Sequence, residues 1–188
     1  MLIVIKEKNR VYMATTAYDL KYGLSRKDTL HEENLPLWRA KNIPGCLMAT
    51  SRCDMMGVDL LRYGDLHLRA ALTPNNLIKK IVPAIHDQLE KFDQLDDKER
   101  NRFCIFLAKK DKAFFLSKIF CYIEVEESMA FGAFDDIARG ALLSTKGLPP
   151  LERIKAVCHV LERTTGHKQF PAVVMNTAEE ERVVLYEE

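Results

Sequence analysis

From Ala130 to Thr177 the sequence runs through a short apolar segment, a tight Gly132-Ala133-Phe134 turn, two helix-like segments back to back, and a second apolar segment. Two successive helices between two strands are not the single crossover helix of a β-α-β unit. That order directs the chain away from an alternating parallel sheet and towards antiparallel sheets with helices segregated on their faces.

The rest of the chain agrees with this reading. Leu2 to Ile5 and Val11 to Thr16 read as two strands joined by the polar turn Lys6 to Arg10. Ala17 to Pro36 reads as loop. Ile43 to Ala49 is a short apolar run containing Pro44-Gly45 and reads as a buried strand. Asp54 to Arg69 is a helix candidate interrupted by Gly57 and Gly64. Thr73 caps the next helix, with Pro74 at its first position, where a missing N–H costs nothing. Ile78, Ile81, Val82, Ile85, Leu89 and Phe92 then form one apolar stripe, with Leu77 off its edge. Asp93 to Arg102, with Asp96-Asp97, reads as a solvated charged loop. Phe103 to Ala108 and Ala113 to Leu116 read as a hairpin about Lys109 to Lys112, followed by a strand over Ile119 to Val125.

Asp135 and Asp136 suit the positive N-terminal end of a helix that runs to Lys146 and stops at Gly147. Pro149-Pro150 opens another, with Leu151, Ile154, Val157, Cys158 and Leu161 on one face and Gly166 at its end. Ala172 to Asn176 and Arg182 to Tyr186 are closing strands. The pattern predicts an α+β fold in one domain, residues 1–188, with two antiparallel sheets covered by helix pairs.

Composition narrows the function classes. A formal net charge of +1 gives no basic surface for nucleic acid or an anionic membrane. Apolar runs fall short of the ~20 residues that span a bilayer. Met1 to Lys6 has no basic region ahead of its apolar run, which argues against a signal peptide. Five scattered cysteines without a Cys-x-x-Cys pair point to reduced core thiols and a cytoplasmic setting. His31, His67, His86, His159 and His167 show no metal-ligand spacing, so neither metal nor cofactor is expected. Trp38-Arg39 suits an interface anchor or a core position equally.

The order of elements resembles the proteasome β-type subunits and their bacterial relatives, a branch of the N-terminal-nucleophile hydrolases. Ala138-x-Gly140-Ala141-Leu142 looks like that family's Ala-x-Gly-Ala-Leu helix, and Gly132-Ala133-Phe134 stands where it has Gly-Ser-Gly. Asp54 matches the aspartate after its Ala-Gly-Gly segment, and Val11 to Ala14 its strand before Ala-x-Asp. The resemblance implies a four-layer α/β/β/α sandwich, close helix packing at Gly140, and assembly into a homo-oligomer.

The family's chemistry needs a threonine, serine or cysteine whose own α-amine is the base. Here the chain reads Met1-Leu2, and Leu2 is no nucleophile. The supporting aspartate falls at Thr16, the lysine near Asn34-Leu35 with Lys41 several residues late, and the serine at Ala133. The later aspartate and serine fall near Thr164 and Lys168, and the glycine pair that approaches substrate backbone reads Thr50-Ser51. The resemblance therefore implies a proteasome-like protein without threonine-peptidase activity, acting as a structural or binding subunit. The alternative is an enzyme or binding protein that uses Thr15, Thr16, Thr50, Ser51, Arg52 and Ala133 as a cleft for a small anionic ligand or a peptide. An active peptidase is the third reading. Processing before Thr15 would remove the first strand, so Thr15 reads as an ordinary β-former.

Overall fold

The computed structural model describes residues 1–16, 36–41, 43–51, 62–90, 104–116 and 122–187. Arg52, Asp54, the charged segment Asp93 to Arg102, and most of the loop expected from Ala17 lie outside the described residues.

Among these residues the chain forms two five-stranded antiparallel sheets. The first has the order β10-β9-β2-β1-β8, from β1 (Leu2–Lys6), β2 (Val11–Thr16), β8 (Ser128–Phe131), β9 (Ala172–Asn176) and β10 (Val183–Leu185). The second has the order β3-β4-β5-β6-β7, from β3 (Leu37–Arg39), β4 (Cys46–Ser51), β5 (Cys104–Lys109), β6 (Lys112–Leu116) and β7 (Tyr122–Glu124). The helical elements are α1 (Pro74–Asn76), a π-helical turn (Leu77–Ile81), α2 (Val82–Glu90), α3 (Asp135–Ser144) and α4 (Pro150–Thr165).

Strand alternation sorts the side chains. Leu2, Val4, Val11 and Met13 of the first sheet share one core with Leu37, Leu47, Ala49, Phe106 and Ala108 of the second. Met1, Ile3, Ile5 and Ala14 turn the other way and pack on Ala138, Leu142, Ile154, Val157 and Leu161 of α3 and α4. Trp38, Met48, Leu107 and Phe114 pack on Leu77, Ile81 and Ile85. Each large apolar side chain fully buried this way contributes roughly 1.5–3 kcal/mol.

Several sequence-based boundaries need correction. The helix expected over Asp54 to Arg69 does not continue through its described part, which turns irregular after Tyr63. His67 has φ 53, and Asp65 Oδ1 accepts a hydrogen bond from His67 N at 3.1 Å. A local side-chain bond of this kind competes with helix. The stripe expected on Ile78 is also displaced. Leu77 is fully buried while Ile78 is 57% exposed. Val82 N donates to Leu77 O, an i→i+5 bond, and that wider turn rotates the residues before it relative to an α-helix. β3 was not expected as a strand. Three residues give no readable period, and Trp38 is held there by pairing with Met48.

Gly140 is the fourth correction. A Cβ built on it meets nothing within 4 Å. Ala138 and Ala141 carry the buried face of α3, so the close packing expected at Gly140 is absent. Thr73 behaves as expected, its hydroxyl accepting from Asn76 N at 3.3 Å.

Candidate functional site

The start of β1 is the natural place to look for chemistry. Met1 is 1% exposed, with its side chain in the core beneath α3 and α4. Thr16 N donates to Met1 O at 3.1 Å, so β2 continues alongside it. The turn before α3 closes from the other side. Gly132 has φ +133, and a Cβ there would lie 3.4 Å from Met1 Cα. Ala133 follows in this turn and is half-buried. Phe134, at φ 68, stacks on His167 with centroids 5.6 Å apart.

Thr16 is committed at this corner. Its Oγ1 donates to Gln169 Oε1 at 2.8 Å. Gln169 is held in turn: its N donates to Glu162 Oε1 at 2.7 Å and its Nε2 to His167 O at 3.1 Å. No sequence pattern points to Gln169. It adjoins Lys168, and a lone polar residue before Phe-Pro has no periodic signature.

The other polar candidates are placed differently. Thr15, next to Met13 in the alternation, is buried towards the second sheet. Thr50 alternates with Cys46 and Met48 and is buried on the far face of that sheet. Among the described residues neither Thr15 Oγ1 nor Thr50 Oγ1 has a hydrogen-bond partner. Ser51 ends β4, paired with Cys104. Of these candidates, Thr16 and Ala133 flank Met1, whereas Thr50 lies on the opposite face of the other sheet.

Cys46 and Cys158 are poor nucleophiles. Burial pushes the Cys46 thiol up to about 12, against a smaller lowering by Lys109. Burial likewise takes Cys158 to about 12. A thiol must ionise to attack, so both are inert near neutrality. Among the described residues no group of three or more His, Cys, Asp or Glu side chains is placed to hold a metal ion.

A cavity of about 850 Å³ opens on the far face of the second sheet. Trp38, Lys41, Arg62, Asp65, Arg69 and Lys80 are among its lining residues. The Arg62 guanidinium lies over the Trp38 ring, 5.3 Å from its centroid. Lys109 Nζ fastens one wall by donating to Leu68 O, Arg69 O and Ala70 O at 2.6, 3.0 and 2.9 Å.

Two antiparallel sheets with these helices form an α+β fold that matches the N-terminal-nucleophile-hydrolase-like fold of proteasome-like solved structures. Solved structures that share it include proteasome-like proteins. BPH of Thiobacillus denitrificans, in complex with epoxomicin, superposes with TM-score 0.71 at 16% identity, over 93% of this chain and 96% of that one. HslV of Trypanosoma brucei gives 0.59 at 9% identity, over 93% and 97%. Anbu, an ancestral beta-subunit from Yersinia bercovieri, gives 0.57 at 13% identity, over 100% and 87%. No protein-family model and no curated protein matches the chain. At these identities the likeness is one of fold. No helix among the described residues is long and apolar enough to cross a membrane.

Proposed function

We propose that this chain is a proteasome-like protein without threonine-peptidase activity, serving as a structural or binding homo-oligomer on a four-layer α/β/β/α sandwich. The observation that carries this reading is the chemistry at the start of β1. Met1 and Leu2 are both 1% exposed and offer a thioether and an alkyl group. N-terminal-nucleophile catalysis needs a hydroxyl or thiol beside an amine that takes its proton. The hydroxyl of Thr16, whose backbone bonds Met1 O, is buried and bonded to Gln169. A charge-bearing partner to tune a nucleophile is missing from that pair.

Support for self-association comes from apolar surface on the α3–α4 pair. Leu143 is 70% exposed, Leu148 in the connection 52%, and Phe134 37%. Burying such groups between subunits is favourable. A panel of fluorogenic peptides tests the first half of the proposal: no turnover above blank is expected. Turnover that disappears on treatment with an electrophile selective for N-terminal threonine would defeat it.

The second reading is a ligand-binding role on the same fold, and the cavity beside Trp38 favours it.

A further inference from the structure

We propose that the cavity beside Trp38 binds a small anion carrying two or more phosphate groups. The inference rests on the ligand-binding reading of the fold and is independent of the chemistry at Met1. At about 850 Å³ the cavity falls within the roughly 300–1,000 Å³ range of small-molecule sites. Among the described residues its lining includes four cations, Lys41, Arg62, Arg69 and Lys80, against the carboxylate of Asp65. That is a local balance of +3, from four minus one, in a chain whose total is +1. A concave wall concentrates such a field.

The types of cation suit phosphate. Guanidinium groups bond two oxygens of one phosphate at once, and ammonium groups serve as mobile point charges. Lys41, Arg69 and Lys80 line the cavity and are exposed, so a ligand meets them without unfolding the wall. The wall itself is preorganised. Lys109 holds the backbone of Leu68, Arg69 and Ala70, which lowers the ordering cost of binding. The four cations lie around one concavity, which fits a small ligand better than an extended nucleic acid.

Trp38 is the only tryptophan in the chain, and Arg62 lies across it, so intrinsic fluorescence reports directly on this cavity. The test is titration of the full chain with inorganic pyrophosphate and, separately, ATP, excited at the red edge of tryptophan absorption and held at constant ionic strength. A saturable change with pyrophosphate is expected. Lys41→Gln combined with Arg69→Gln should weaken it roughly tenfold or more while the melting temperature stays unchanged. Matching saturation by ATP would place its phosphates in the same site. No saturable response, an equal response to chloride at the same ionic strength, or binding undiminished in the double variant would each overturn the inference. So would saturation by a short polyglutamate peptide but not by pyrophosphate. Peptide hydrolysis is read in separate wells, so failure here leaves the non-peptidase reading standing, and the converse holds.

Discussion

Thr16 Oγ1 donates a hydrogen bond to Gln169 Oε1 at 2.8 Å, joining the end of β2 to the segment that leads into β9. The two residues are 0% and 1% exposed, so the bond is shielded from water. Removing one partner strands the other. Thr16→Val should leave the Gln169 carbonyl without a donor and cost about 1–3 kcal/mol. Thr16→Val combined with Gln169→Leu should cost less than the sum of the two single changes. Urea denaturation of the four proteins measures this. Additive losses would show that the bond has no energetic weight.

Two glycines are expected to respond in opposite directions. Gly45 has φ +68, and a Cβ on it would lie 2.8 Å from Thr177 O, a backbone atom of the turn after β9. Gly45→Ala therefore meets both strain and a clash, and should destabilise by more than about 1 kcal/mol. Gly140 sits in α3 with open space around it. Gly140→Ala should stabilise by roughly 0.5–1 kcal/mol through its backbone entropy. Thermal melts of the two variants beside wild type give the comparison.

The thiols give the protein an alkaline limit. Cys46 and Cys158 ionise near 9.0 when solvated, and burial holds both at about 12 in the fold. Between those values the folded chain keeps protons that the unfolded chain releases. Their contribution to stability is complete below pH 9 and is lost as pH rises towards 12. Denaturation midpoints should fall across that range, and the fall should be shallower in Cys46→Ala. Native-state alkylation at pH 8, read peptide by peptide, should be slow at both positions.

If the α3–α4 surface is the contact between subunits, light scattering coupled to size exclusion should give at least twice 21.6 kDa. Leu143→Glu, which places a charge where 70% of the leucine is exposed, should shift that mass to the monomer without lowering the melting temperature of the isolated chain. A monomer at every concentration would remove the structural-subunit role.

The regular elements were readable because burial writes a period into sequence. α4 shows it in Ile154, Val157, Cys158 and Leu161, all buried, with Pro150 at its start and Gly166 at φ 71 at its end. The hairpin of β5 and β6 was readable from its charged turn, where Lys110 adopts φ 55. The shift from Ile78 to Leu77 was not, because a π turn depends on tertiary packing and leaves the same residue types in place. The exposure of Gly140 was masked by a motif: a small residue suits close packing and open solvent alike. At the site, the residue types at Met1, Leu2 and Ala133, on which the non-peptidase proposal rests, are read directly from the chain. The bond from Thr16 to Gln169 was not, since it joins residues 153 apart in sequence. Nor was the cavity beside Trp38, whose cations come from separate segments.

The most direct test of a proteasome-like fold without threonine-peptidase chemistry is intact-mass spectrometry after incubation with epoxomicin, the compound bound by the BPH structure that shares this fold. With Met1 and Leu2 at the head of β1 and the Thr16 hydroxyl bonded to Gln169, no mass should be added to the chain. Stoichiometric addition of one epoxomicin per chain would contradict that expectation and reveal a working nucleophile.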